Sequence, residues 1–261
     1  MDRRRSRSKE LGQNFLRSRR LAARLIGMSA IGTDDVVYEI GPGRGVLTQT
    51  LADRAARVVA IERDPLLARM LRRRFRTYKN VEIATCDILR YRIREQRPFK
   101  IISNVPYGIT AGLMQKILYE QPIATEIYLI LQREAAEKYS GLGGRGETLQ
   151  SVLAKVHFEF EILYRLRRDD FEPVPSVDSL MLKITRRPRS LLTRAEQASF
   201  EVFVRRGFSA WKPSLRLALK REFSYKRWKR LARELGFALN ARPSAVRIEQ
   251  WLALFRARSA R

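Results

Sequence analysis

Strand-length runs alternate with helix-length stretches through the first two thirds of this chain, and that alternation constrains its fold more than any other feature. Val36-Val37-Tyr38-Glu39-Ile40 reads as a buried strand that stops at Gly41. Val46 to Ala55 reads as a helix, and Val58 to Glu62 as a second strand. Pro65 suits a first helical turn, continued by Leu66 to Phe75. Val81 to Ala84 and Phe99 to Ser103 are a third and a fourth strand. A helix over Ala111 to Tyr119 leads to a fifth, Glu126 to Leu131. Ser151 to Glu161 and Ser179 to Thr185 read as two late strands. This order implies an α/β fold with a mainly parallel sheet covered by helices on both faces.

The last part reads differently. Arg194 to Arg206, Pro213 to Glu222, Tyr225 to Leu235 and Ile248 to Arg256 are helical in pattern, with Gly207 and Gly236 as stops. Charge shifts at the same place. From Lys183 to Arg261 the chain holds 21 Lys/Arg against 5 Asp/Glu, a net +16, and everything before Lys183 carries only +10 of the total +26. A boundary near Arg186-Arg187-Pro188-Arg189 is expected, with a strand–helix domain over 1–185 and a basic helical domain over 186–261.

The whole chain carries a net charge of +26, which calls for a polyanionic partner, and nucleic acid suits best. No apolar run approaches the roughly 18 residues that cross a bilayer, and the basic arm Met1 to Arg7 has no signal-peptide core behind it. A cytoplasmic protein without a membrane partner is expected, acting as a monomer. The single cysteine, Cys86, rules out internal disulfides and Cys-cluster zinc sites. The single histidine, His157, speaks against a Ser/His triad or a His-based metal site, so no metal is expected.

Glu39-Ile40-Gly41-Pro42-Gly43-Arg44-Gly45 joins a strand to a helix. Glycines there permit a tight turn and close approach of a ligand to the backbone. Such a loop serves a dinucleotide, S-adenosylmethionine, or nothing. Pro42 removes an N–H that a pyrophosphate would use. Glu39 puts a carboxylate where a phosphate is unwelcome but a sulfonium with an amino group is tolerable. Both favour S-adenosylmethionine, with Gly41 at the contact. Glu62 ends the second strand. Its spacing from Gly41 is that of a ribose-binding acid, which follows such a loop by about 20 residues; the alternative is a surface carboxylate paired with Arg63. Asp87 follows the third strand and suits the adenine amine, with Ile88 against the ring; the alternative is a helix N-cap.

Asn104-Val105-Pro106-Tyr107 after the fourth strand is the most specific signal. An exocyclic adenine amine is a poor nucleophile because its lone pair is delocalised into the ring. The Asn104 side-chain oxygen and a backbone carbonyl, that of Val105, can accept its two N–H bonds and favour a pyramidal nitrogen. Pro106 stiffens the turn, and Tyr107 offers a ring on which an extruded base stacks. Catalysis would then rest on positioning and electrostatics. Phe171, in the proline-rich segment Phe171 to Ser179, is a candidate to cover the other face of the base; the alternative is a core phenylalanine.

Together these segments resemble the rRNA adenine N6-methyltransferases, a family that includes the erythromycin-resistance (Erm) enzymes and the small-subunit dimethyladenosine transferases. The resemblance runs over nearly the whole chain, through Gly12-Gln13-Asn14-Phe15-Leu16, the glycine loop, Asp87-Ile88, Asn104 to Tyr107, Gln132 to Ala136 and Pro175 to Ser179. It implies a Rossmann-like class I methyltransferase domain with a small helical C-terminal domain, and it makes Asn14 and Leu16 cofactor-binding residues. Read without it, Gln13 to Leu16 is the start of a helix. The segments Glu249 to Phe255 and Glu134 to Tyr139, with the basic tail, resemble Erm enzymes in particular. That implies adenine methylation in 23S rRNA and resistance to macrolides, lincosamides and streptogramin B. The competing expectation is a small-subunit (16S) dimethyltransferase of ribosome assembly. One departure is Gly108 after Tyr107, where many relatives carry Asn.

Overall fold

A computed structural model describes residues 14–259 except 121, 123 and 210–213. The basic arm Met1 to Arg7, Gly12 and Gln13 of the first motif, and Pro213 lie outside the described residues. Seven strands form one sheet: β1 (Val36–Ile40), β2 (Arg57–Glu62), β3 (Val81–Thr85), β4 (Phe99–Asn104), β5 (Glu126–Gln132), β6 (Phe158–Leu166) and β7 (Ser179–Arg186), in the order 3-2-1-4-5-7-6. β1 to β5 are parallel, and β7 runs antiparallel to β5.

Every residue of β1 is buried. A strand buries both of its alternating faces only where both faces of the sheet are covered. On one face Val37, Val58 and Ile102 pack with Leu21 and Leu25 of helix α1 (Arg19–Gly27) and Leu47 and Leu51 of α2 (Val46–Ala52). The helix after β2, α3 (Pro65–Arg74), starts where Asp64 accepts the Leu66 N–H at 2.8 Å and Pro65 fills the first turn. The helix after β4 is α4 (Thr110–Tyr119). Because β1 sits between β2 and β4, strand order reverses there. A crevice opens at such a reversal beyond the carboxyl ends of the strands.

The chain divides into two compact units, one of residues up to Arg133 with Glu161–Arg186, the other of Glu134–Phe160 with everything from Arg187 on. This corrects the expected single cut between 185 and 186. The cause is packing: Val152 and Val156 belong to the same core as Phe200, Phe203, Trp228 and Trp251. The strand expected over 151–161 is corrected with it. Helix α5 (Arg133–Ser140) is followed by α6 (Leu149–Lys155), and β6 begins only at Phe158. Thr148 and Ser151 form a reciprocal cap at the start of α6, with Ser in the place more often held by Glu or Gln.

The remaining helices are α7 (Arg194–Phe208), α8 (Leu215–Ala218), α9 (Tyr225–Leu235) and α10 (Ile248–Ser259). Gly236 ends α9 in the left-handed region, as expected of a stop. Gly207 is no stop. It lies inside α7, and a Cβ there would meet the Trp251 ring and come within 2.9 Å of Leu215 Cδ1. Its missing side chain lets the helix approach Trp251.

Candidate active site

Strand register places the functional side chains at one edge of the sheet. Ile40 is level with Ile61 and with Ser103, and Glu62 with Thr85. The segments that leave these strand ends surround a cavity of about 320 Å³, lined by Gly41, Glu62, Asp87, Asn104, Tyr107 and Asn14 among others. Its apolar walls come from Ile40, Ile61, Ile88, Val105 and Ile109.

The glycine loop is fixed by its neighbours. Gly43 has φ 56°, and a Cβ there would lie 2.6 Å from Phe15 Cε1, so the position demands glycine for both conformation and space. The Phe15 ring carries the Arg44 guanidinium 4.8 Å from its centroid, and Arg44 pairs with Glu172 at 3.3 Å. Glu62 holds the loop from below: Oε2 accepts the Gly43 N–H at 3.0 Å and Oε1 the Asp64 N–H at 2.9 Å. Each oxygen keeps a further lone pair for a ligand hydroxyl. Burial raises the Glu62 pKa, opposed by the hydrogen bonds from Asp64 and Gly43.

Glu62 makes no ion pair with Arg63. Arg63 turns instead to Asp87, with Nε 3.7 Å from Oδ2. Asp87 also accepts the Leu89 N–H at 3.0 Å, so it caps the turn after β3 and lines the cavity at once. Glu39 does not line the cavity. Its carboxyl is fully buried beside Thr48, one oxygen has no partner among the described residues, and burial pushes its pKa up to about 8.

Asn104 is the best-defined side chain of the site. Its Nδ2 donates to the Asn14 backbone carbonyl at 2.6 Å. Only the amide nitrogen can face a carbonyl, so Oδ1 is left as a free acceptor. Ser103 Oγ donates to the Ile40 carbonyl at 2.8 Å, and the Val105 N–H to the Ile130 carbonyl at 3.1 Å, so β4 is tied to both neighbours as it ends. Pro106 then leads into a single 3₁₀ turn, Tyr107–Ile109, with the Tyr107 hydroxyl buried and unpartnered among the described residues. Gly108 needs neither special conformation nor space: its φ is not positive, and a Cβ there would meet nothing within 4 Å.

A family model described as ribosomal RNA adenine dimethylase matches residues 4–259 of this chain. The chain belongs to that family. It is 35% identical over 247 residues to an rRNA adenine N-6-methyltransferase of Saccharopolyspora erythraea, covering 95% of this chain and 64% of that longer protein. It is 32% identical over 219 residues to a ribosomal RNA small subunit methyltransferase A of Geobacter metallireducens, covering 81% and 80%. The crystal structure of 23S rRNA methyltransferase ErmE superposes with a TM-score of 0.86 at 33% identity, covering 95% of this chain and all of that one. The sheet with flanking helices is thus the class I methyltransferase fold.

Against the family's expected site, Asn14, Gly41, Glu62, Asp87, Asn104 and Tyr107 are brought together around the cavity. Leu16 and Phe171 do not line it. They are partners in a two-residue antiparallel ribbon, Phe15–Leu16 with Phe171–Glu172, which also replaces the helix start expected there. Successive residues of an extended segment face opposite ways. Phe15 therefore lines the cavity, while Leu16 and Phe171 are buried in the core of this unit with Leu25 and Tyr128. Sequence reasoning missed Phe15 and the Asn14 carbonyl. Both act through contacts to residues far away in the chain, Gly43 and Asn104, and no local pattern signals them.

Proposed function

We propose that this protein is an Erm-type enzyme, transferring methyl from S-adenosylmethionine to the N6 amine of an adenine in 23S rRNA and so conferring macrolide, lincosamide and streptogramin B resistance. The observation that carries the chemistry is the orientation of Asn104, whose amide nitrogen is spent on Asn14 and whose oxygen is left to accept. The cavity suits the donor: apolar walls for an adenine ring, Asp87 for its amine, Glu62 for ribose hydroxyls, and a glycine loop for close approach. S-adenosylmethionine supplies an electrophilic methyl on a sulfonium that leaves readily, so no strong base is required.

Asn104 Oδ1 and a backbone carbonyl of the turn, that of Val105, accept the two N6–H bonds and turn the nitrogen lone pair toward the methyl. Tyr107 stacks against the extruded base. The catalytic unit contributes positioning and electrostatics. The strongly basic helical unit supports an RNA substrate.

The 23S assignment is supported by the likeness to ErmE over the full length of that structure. The small-subunit reading is favoured by the relatives described as small subunit methyltransferase A. Expression in a macrolide-sensitive bacterium, followed by mapping of methylated adenines in both rRNAs, separates them. A new modified adenine in 23S rRNA together with macrolide resistance is expected; methylation in 16S rRNA alone overturns the Erm reading. Asn104→Ala is expected to lower kcat by about 10²–10³-fold or more, the scale of losing one positioned polar contact in a transition state. RNA affinity, read by filter binding, should stay close to wild type.

A further inference from the structure

The connection between β3 and β4 is held at both ends. At its start Asp87 caps Leu89, and its carbonyl accepts the Arg90 and Tyr91 N–H groups at 2.9 Å each. Near its end Glu95 accepts the Arg97 backbone N–H at 3.2 Å and pairs with Arg57 at 3.5 Å. Between the two anchors exposure alternates: Tyr91, Ile93 and Glu95 are partly covered, while Arg92 and Arg94 stand in solvent, as Arg90 does before them. That is the two-residue period of an extended chain.

The arginines fall into two groups. Arg57, Arg63 and Arg97 each pair with an acid. The side chains of Arg90, Arg92 and Arg94 have no ion pair or hydrogen bond with any described residue. Three exposed, unneutralised guanidinium groups carried close together on one segment repel one another unless an anion lies across them. From Arg92 to Arg94 an extended two-residue step of about 6.5–7 Å is close to the separation of successive phosphates along one nucleic-acid strand, and Arg90 precedes them from the turn after β3. These arginines also border an open cleft of about 880 Å³, and Cys86 lines both that cleft and the methyl-transfer cavity. The row starts beside this cleft and runs toward Arg57 at the start of β2.

We infer that Arg90, Arg92 and Arg94 form a phosphate track that grips a stretch of the RNA substrate at a distance from the target adenine. The catalytic unit then holds its substrate itself, in addition to whatever the basic helical unit contributes. This rests on the RNA reading above and adds the surface on which the strand lies. Guanidinium suits the task because its planar fork matches phosphate oxygens.

The test is the triple variant Arg90→Gln, Arg92→Gln, Arg94→Gln, assayed on an rRNA fragment that wild type methylates. The slope of log affinity against log salt should flatten by about 2–3, at roughly 0.7–0.9 per lost phosphate contact. The KM for RNA should rise about tenfold or more near physiological salt, with kcat at saturating RNA and S-adenosylmethionine affinity within about twofold of wild type. The matching triple Lys variant should recover most of the affinity. An unchanged slope and KM overturn the inference, as does a loss confined to kcat, and so does a Lys variant as weak as the Gln one. Single Gln variants, each flattening the slope by just under one, provide the same reading should the triple variant not fold. A wild type that methylates no rRNA defeats the proposed function instead, so the two failures are distinguishable.

Discussion

Two pairs of buried glutamates, one pair in each compact unit, are treated in opposite ways. In the helical unit Glu147 pairs with Lys155 at 2.5 Å and accepts from Ser151 at 2.6 Å, and Glu137 pairs with Arg145 at 3.1 Å. In the catalytic unit Glu39 and Glu62 are buried more deeply, and neither has a cation within salt-bridge distance among the described residues. Burying a carboxylate without a partner costs several kcal/mol in principle. The helical unit meets that cost with cations, whereas the catalytic unit holds Glu62 with two backbone N–H groups and pushes the Glu39 pKa up to about 8. Of the two only Glu62 lines the cavity, where its remaining lone pairs face the space a ligand would fill.

The largest effect that would break this comparison lies in the helical unit. Glu147→Ala strands Lys155 and should cost about 3–5 kcal/mol of unfolding free energy, read by urea denaturation, while S-adenosylmethionine affinity of the folded fraction stays unchanged. A loss of under about 1 kcal/mol would mean the pair is ornamental. Next, Glu62→Gln should weaken S-adenosylmethionine by about 1.5–3 kcal/mol, or roughly 10–100-fold in Kd by calorimetry, as expected for a lost hydrogen bond to a charged group. Equal affinity would remove Glu62 from the ligand's partners.

The most gradual effect, spread over several pH units, sharpens the comparison through pH. Glu39 is raised from 4.5 to about 8 by burial. Between those values the unfolded chain has released its proton and the folded chain still holds it. Stability attributable to this residue is therefore complete below pH 4.5 and declines as pH rises toward about 8, by at most about 1.4 kcal/mol per pH unit. Glu39→Gln should flatten that decline, measured as urea midpoints across the same window. Parallel pH profiles for variant and wild type would show that the Glu39 carboxyl is not neutral in the folded protein.

Much of this is legible in the sequence, for identifiable reasons. The strands of the parallel sheet are covered on both faces, so they announce themselves as unbroken apolar runs such as Val58 to Ile61. The glycine loop and the turn at Asn104 are local, and their residue types follow from what a tight turn and an amine acceptor need. The segment 151–161 misleads because Val152, Val156 and the alternation from Phe158 look like one strand, while the helix start rests on a Thr148–Ser151 cap of unusual composition. Phe171 misleads for a different reason. Whether an aromatic beside a site faces it or the core depends on a ribbon formed with Phe15–Leu16, at the far end of the same unit's sequence. Gly207 resembles a helix stop because its explanation, the close approach of Trp251 and Leu215, lies elsewhere in the chain.

The bond from Asn104 to the Asn14 carbonyl has one further consequence, for how this protein would answer a mutational scan. Residue 14 has two separable parts. Its side chain can be exchanged for any other, but no point substitution deletes a main-chain oxygen. A scan would therefore score position 14 by its side chain alone and stay blind to its hold on the Asn104 amide. Only moving the backbone, by inserting or deleting a residue between Asn14 and the Ser18 cap of α1, would expose that second part.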